Sequence, residues 1–220
     1  MVSETLVVIP VLNRPHRIIP VLESVEANTP EPHTTVFVAT KGDTATVTVL
    51  VDVQAEWIVV PGHARGDYAR KINKAYEMSS EPYVFTGADD LAFHPGWLTN
   101  ALNKMTPGIG VVGTNDLGNQ RTVEGDHSTH SLVARAYADE YGTVDEPGKI
   151  LHEGYWHEFV DDELVATAKH RNAYAKAADS IVEHLHPFWG KAPTDPIYAQ
   201  FGLRMRAGRA LYQKRQRLWK

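Results

Sequence analysis

YVFTGADDLAFHPGWL, residues 83–98, runs an apolar strand directly into Asp89 and Asp90, then through a turn into a helix opened by Pro95. Two adjacent carboxylates at the open end of a buried strand are costly unless a cation sits beside them. A divalent ion carrying a phosphate meets that need, because Mg²⁺ or Mn²⁺ takes hard oxygen ligands from few residues and leaves the rest of its shell to phosphate and water. The plainer alternative is an acidic pair that caps the next helix or is solvated in a loop, since Asp is favoured in both places.

Upstream, TLVVIPVL at 5–12 is a continuous β-branched run of the kind found in a strand buried on both faces, and it stops at Asn13-Arg14-Pro15. Pro15 opens a helix whose Ile18, Ile19, Leu22 and Val25 recur at helical spacing up to Pro30 and Pro32. Short apolar runs at 34–39 and 56–60 close on Lys41-Gly42-Asp43 and Pro61-Gly62 and read as strands. TATVTVLVDV, residues 44–53, fits a strand or a helix equally well. A helix over Asp67–Ser79, the strand 82–87, a helix over 95–105 and a strand at 109–113 then complete an alternation of strand and helix that predicts a mostly parallel α/β sheet. The second half is less regular. It comprises a polar segment (115–128), a helix near 131–141, an aromatic and His-rich connection (151–159), a helix over 161–172 and a strand ending at His184.

The chain has 220 residues, enough for one α/β domain with a short appendage and too few for two enzymes. Zero cysteines exclude disulfides, a thiolate nucleophile and a Cys-based zinc site, so a metal would have to be held by Asp, Glu or His. No apolar run approaches the roughly 20 residues of a membrane span. The chain enters its first strand without a basic or cleavable leader, and a cytoplasmic protein is expected. The formal net charge of −5 hides an asymmetry: residues 204–220 carry seven Lys or Arg and no acid, which leaves the rest at −12. Such a body gives no footprint for nucleic acid. In the tail, Ile197, Phe201, Met205, Leu211, Tyr212, Leu218 and Trp219 fall near one helical stripe, so an amphipathic helix is expected to pack on its own domain or a second copy, or to rest weakly on an anionic membrane.

Five motifs follow in order: VVIPVLNRP at 7–15, GDYARKINKAYEMSSEPYVF at 66–85, GADDLAFHPGWL at 87–98, FVDDELVATAKHRN at 159–172 and EHLHPFWGKA at 183–192. Together they resemble the family 2 glycosyltransferases of GT-A fold, whose patterns include VxIPxYNRP, a DXD-type motif, PxWL, EDxEL and a late His. The KIN and GADD pattern is closest in flavour to small phage or bacterial members. The resemblance implies an inverting, metal-dependent transfer of a sugar from a nucleotide diphosphate sugar, with a UDP-sugar favoured, to an acceptor hydroxyl on a protein, a glycan or a lipid carrier. It divides residues 1–195 into a nucleotide-binding half (1–114) and an acceptor and catalytic half (115–195), followed by the basic helix 196–220.

The roles it implies are these. Pro10, Val11, Asn13, Arg14, Thr40, Asp67, Lys71, Asn73 and Asp89 would hold the nucleotide. Asp90, with His184 or His186, would hold Mn²⁺ or Mg²⁺. Asp161 would be the general base, with Asp162 in the same acidic turn, and Trp156 would face the acceptor. Lys71 and Asn73 are two positions apart on a helix and do not share a face, and Asp161, Asp162 and Glu163 also make a favourable first helical turn. Three departures stand out: Val160 replaces the usual Glu, VATKGD replaces an acidic DDGS that grips the base, and Thr86-Gly87-Ala88 stands where many members carry another Asp. A binding protein of the same fold without turnover is the first alternative. A nucleotidyltransferase ranks below it, because PVLNRPHR lacks the glycines of a phosphate loop.

Overall fold

In the computed structural model, which describes residues 4–63 and 67–219, β1 (Thr5–Pro10) is buried along its whole length. Residues 1–3, 64–66 and 220 lie outside the described residues, among them Gly66 of the second motif and Lys220 of the basic tail. Leu6 and Val8 enter one hydrophobic cluster and Val7 and Ile9 the other, so the unbroken apolar run reflects a strand with core on both faces. After α1 (Ile18–Asn28) comes β2 (His33–Thr40), parallel to β1. Then α2 (Thr44–Asp52), β3 (Glu56–Val60), α3 (Asp67–Glu77) and β4 (Tyr83–Thr86) complete a four-stranded parallel unit in the order β3-β2-β1-β4.

The ambiguous 44–53 segment is helical because its start is capped. Asp43 accepts from the Thr46 amide at 3.2 Å and from the Thr46 hydroxyl at 2.6 Å, and Thr46 and Leu50, four residues apart, are its buried positions. Capping of this kind contributes about 1 kcal/mol, and burial of Leu50 and Thr46 against the sheet adds to it, as tertiary packing routinely overrides the helix penalty of β-branched residues.

Beyond β4 the sheet becomes mixed. β5 (Leu91–Phe93), α4 (Trp97–Leu102), β6 (Val111–Asn115), α5 (Gln120–Val123), β7 (Ser131–Ala134), α6 (Arg135–Glu140), α7 (Val160–His170) and β8 (Tyr174–His184) give the full order β3-β2-β1-β4-β7-β6-β8-β5. Two expectations are corrected. The helix read over 131–141 is a strand followed by a shorter helix, because Ser131, Leu132 and Val133 are consecutively buried between antiparallel partners β4 and β6. Leu91–Phe93, read as a turn, is a three-residue strand paired antiparallel with β8. That pairing sets Leu91 opposite His184 and so brings the residue after the acidic pair to the end of the last strand.

The C-terminal helix α8 (Phe201–Arg215) packs on its own domain through the side that carries most of the expected stripe: Phe201, Met205, Leu211 and Tyr212 are partly buried there and Trp219 beyond it is buried, but arginines share that side. Arg204, Gly208 and Arg215 are its buried residues, Leu211 and Tyr212 flank them against the core, and Leu203 and Leu218 are exposed. Gly208 lies so close to the chain that a Cβ there would meet the Glu158 carbonyl at 2.3 Å. Arg215 donates to both oxygens of buried Glu163 at 2.8 Å and pairs with Asp145, while the Tyr155 hydroxyl donates to Glu163 at 2.7 Å. Arg215→Ala strands the Glu163 carboxylate and is expected to lower the unfolding free energy by about 3–5 kcal/mol. The check is the denaturant midpoint, at unchanged slope. Among the described residues no helix is long and apolar enough to cross a membrane.

Candidate active site

The parallel strands β1 and β4 end side by side, and the chain leaves both ends on the same edge of the sheet, where the strand order changes from parallel to antiparallel. Ligand sites of open α/β sheets sit at such an edge. A cavity of about 380 Å³ opens there. Its walls include Pro10, Val11, Asn13 and Arg14 after β1, Asp89 and Asp90 after β4, Asp67 and Lys71 on α3, Trp156 from the His-rich connection, Asp161 on α7, and His184 and His186 at the end of β8. Gly87 accounts for one departure from the family pattern. A Cβ at that position would meet the Val8 carbonyl at 2.6 Å, so position 87 of the turn that delivers the acidic pair has no room for a side chain.

The two aspartates have different partners. Arg14 donates to Asp89 Oδ1 at 2.9 Å and stands 3.6 Å from Asp90. Asp90 accepts from the Tyr198 hydroxyl at 2.5 Å and faces His184 Nε2 at 3.4 Å. Burial and the neighbouring Asp90 charge push Asp89 up to about 7, against the pull of Arg14. For Asp90, burial acts in the same upward direction but is outweighed by His184, Tyr198 and Arg14, and its carboxyl is held well below the usual range. Arg14 is itself enclosed by an ion pair to Asp195 at 2.9 Å and by the Tyr198 ring 4.3 Å away.

The donor chemistry of this corner fits a hard divalent ion. Two ligand atoms each about 2.1 Å from an ion and roughly 90–110° apart lie about 3.0–3.4 Å from one another, and Asp90 Oδ2 and His184 Nε2 have that spacing. This corner offers two such atoms; among the described residues, the groups that bring three potential ligand atoms within 4.8 Å are His127–Asp161–Asp162 and Asp145–Glu146–His152. Each holds a side-chain cation, Arg121 on Asp162 and Arg215 on Asp145, as Asp89 holds Arg14, and of these six residues only Asp161 lines the cavity. Of the two late histidines, His184 faces Asp90. His186 instead accepts the Phe188 amide at its Nδ1 and caps the short 3-10 turn Pro187–Trp189.

Asp161 stands in the first turn of α7 with 24 % of its side chain exposed, and accepts from His127 Nε2 at 3.1 Å. Burial alone would lower His127 and raise Asp161, yet their mutual attraction holds the imidazole above its ordinary value and the carboxyl below its own. The ion pair therefore stabilises the fold in full above the unfolded carboxylate value and below the unfolded imidazole value. It is lost as pH rises through the folded-state His127 value or falls through that of Asp161. The stability gap between the unaltered chain and His127→Gln is expected to be widest at about pH 5–6 and to shrink toward alkaline pH, read from denaturant unfolding across a pH series.

Three of the expected site residues do not line the cavity. Asn73 is fully buried and donates to the Leu151 carbonyl at 2.7 Å and to Glu153 at 3.1 Å, while its own oxygen accepts from the Ile150 and Leu151 amides, so it pins the 150–153 connection. Asp162 pairs with Arg121 at 2.9 Å, and burial and Asp161 raise its pKa. Thr40 ends β2 with its hydroxyl buried and without a hydrogen-bond partner among the described residues. Asp43, whose carboxylate also accepts from the Asn13 amide at 2.6 Å, is committed to holding that turn. Conversely, the cavity recruits Tyr198, Arg204, His130 and Glu158, and His127 backs Asp161 from behind. The sequence carries only a faint signal for these: two histidines in GDHSTHS and a basic C-terminal segment.

The same architecture occurs in solved glycosyltransferases. A mannosyltransferase from Pyrobaculum calidifontis, in complex with GDP-Man and Mn²⁺, superposes with a TM-score of 0.65 at 16% identity over 93% of this chain, which spans 61% of that protein's length. Glucosyl-3-phosphoglycerate synthase from Mycobacterium tuberculosis, in complex with Mn²⁺ and UDP-Glc, gives 0.65 at 14% identity over 96% of this chain and 78% of that one. At such identities the likeness is one of fold. No curated protein sequence matches the chain. The family model of glycosyl transferase family 2 matches residues 6–159, from β1 through the acidic pair to the threshold of α7, and the chain belongs to that family.

Proposed function

We propose that this protein transfers a sugar from a nucleotide diphosphate sugar to an acceptor hydroxyl with inversion at the anomeric carbon. The observation that carries the reading is that one cavity is lined by the acidic pair after β4 and by Asp161 at the start of α7. Direct displacement needs those two functions on opposite sides of the reacting carbon. Mn²⁺ or Mg²⁺ held by Asp90 and His184 would neutralise the diphosphate and make it a better leaving group.

Arg14 and Lys71 supply the fixed positive charge for the diphosphate. Lys71 donates to the Val11 carbonyl at 2.6 Å, and burial pulls it down to about 8 against the attraction of Asp67, Asp89 and Asp43. Asp161, ionised and open to the cavity, takes the proton of the acceptor hydroxyl, and His127 fixes the orientation of its carboxylate. Trp156 offers an aromatic face to the acceptor. A UDP-sugar is the favoured donor, in keeping with the UDP-Glc held by the mycobacterial synthase, and the GDP-Man of the archaeal enzyme is the competing class. The test is release of nucleoside diphosphate from UDP-glucose and GDP-mannose in Mn²⁺, with the anomeric configuration of the product followed by NMR. Product of inverted configuration supports the reading. Tight donor binding without release over hours would instead describe a nucleotide-sugar-binding protein.

A further inference from the structure

Two arginines of α8 are buried to the same degree and find different surroundings. Arg215, 7 % exposed, donates to both oxygens of Glu163 and pairs with Asp145. Arg204, earlier on the same helix and 8 % exposed, donates no hydrogen bond among the described residues, and its one ion pair there is Nε to Glu158 Oε1 at 3.3 Å. A guanidinium carries a rigid fork of N–H donors, and burying its charge without acceptors is costly. Nε is enclosed by its surroundings. The two Nη groups are not, and the side chain lines the cavity. Open donors of a buried cation on a cavity wall mark a place for an acceptor atom from outside the chain.

The planar fork matches two oxygens of one group, so a phosphate or a carboxylate is its natural partner. Glu158 does not use the fork up. It touches only Nε, and burial pushes its carboxyl up to about 7 against the attraction of Arg204, so near neutral pH the pair keeps net positive charge. The position of the fork separates it from the donor. Arg14 and Lys71 stand after β1 and on α3, each already on a protein oxygen, Asp89 for one and the Val11 carbonyl for the other. Arg204 reaches in from α8 against the connection that carries Trp156 and runs on into Asp161, and the charges of Asp161 and Asp162 are felt at Glu158. This is the side of the base, where the acceptor hydroxyl enters.

We propose that the acceptor carries an anionic group, a phosphate or a carboxylate, and that the Nη groups of Arg204 hold it; this rests on the assignment of Asp161 as base given above. Because Arg14 lies within electrostatic reach of Arg204, the donor side is filled first. The test is calorimetric titration of inorganic phosphate and of acetate into the full chain saturated with Mn²⁺ and whichever of UDP and GDP it takes. The same titrations are made on Arg204→Gln, Arg204→Lys, Glu158→Gln and, as a control for charge alone, Arg206→Gln at an exposed position of α8. One anion should bind per filled chain, and the tighter of the two probes names the group. Arg204→Gln should weaken it about tenfold or more and the nucleoside diphosphate less than twofold. Arg204→Lys should recover part of the loss, and Arg206→Gln should stay within about twofold of the unaltered chain.

Glu158→Gln removes the competing carboxylate and should tighten the anion about threefold or more, a readout that survives if Arg204→Gln folds poorly. No anion bound by the filled chain, equal binding by Arg204→Gln, an equal loss in Arg206→Gln, or unchanged or weaker binding by Glu158→Gln would each overturn the proposal. A diphosphate affinity that falls as far as the anion affinity in Arg204→Gln would overturn it too, by placing the arginine on the donor. If the unaltered chain binds neither UDP nor GDP, the glycosyltransferase reading itself fails, and the proposal with it.

Discussion

Asp161→Asn is expected to leave binding of the nucleotide sugar within about twofold and to lower the rate of transfer by about 10²- to 10⁴-fold, the range for loss of a positioned general base. The substitution keeps the volume and the acceptor oxygen that His127 Nε2 reaches at 3.1 Å, so the start of α7 has no reason to move. What it removes is an ionised carboxylate. Because His127 holds Asp161 below its ordinary range, this carboxylate is already deprotonated through the neutral region, so its own protonation sets no acid limb there. Steady-state and single-turnover rates with the accepted donor, alongside calorimetric binding, separate the two effects. Transfer at the unaltered rate would remove Asp161 from the mechanism.

Asp90→Ala is expected to erase the metal dependence of nucleotide binding and to weaken diphosphate affinity in Mn²⁺ by about 100-fold or more, as removal of a direct ligand does where the remaining protein donors are few. Asp90 is the carboxylate with the depressed pKa, and it faces His184 at 3.4 Å. Its neighbour Asp89 is bound to Arg14 at 2.9 Å and cannot take over without breaking that pair. Asp89→Asn should therefore be the milder change, keeping Mn²⁺-dependent binding while loosening Arg14. Titration of Mn²⁺ in the presence of the diphosphate distinguishes the two variants. Equal Mn²⁺ dependence in Asp90→Ala and the unaltered chain would contradict the metal assignment.

How much of this is legible in the sequence depends on the range of the interactions involved. β1 is legible because a strand with core on both faces leaves an unbroken apolar run, and Asp89-Asp90 because two acids closing such a run violate the local pattern. His184 is legible as the polar end of the last strand. The 44–53 helix is undecidable from periodicity, since β-branched residues suit either structure and the Asp43 cap together with burial of Thr46 and Leu50 decides. β7 is misread because SLVARAYADEY supports a helical spacing that is realised only from Arg135 onward.

The site residues follow the same rule. Lys71 and Asn73 share a motif yet diverge, one toward the Val11 carbonyl and the other toward the 150–153 connection, because both sides of α3 are covered. Tyr198 reaches Asp90 across 108 residues of chain, and the Arg face of α8 is buried because Glu158, Glu163 and Asp145 await it. Such pairings have no local signature. Composition marks the helix as basic and says nothing of which cations face inward.

We propose that the acidic pair after β4 serves a metal-bound nucleotide diphosphate. Calorimetric titration of UDP, GDP, CDP and dTDP into the full chain, first with Mn²⁺ and then with EDTA, tests it most directly. Micromolar binding of one of these diphosphates in Mn²⁺, with UDP favoured, and its loss in EDTA are expected. Binding of none of the four, or equal binding with and without the metal, would contradict it.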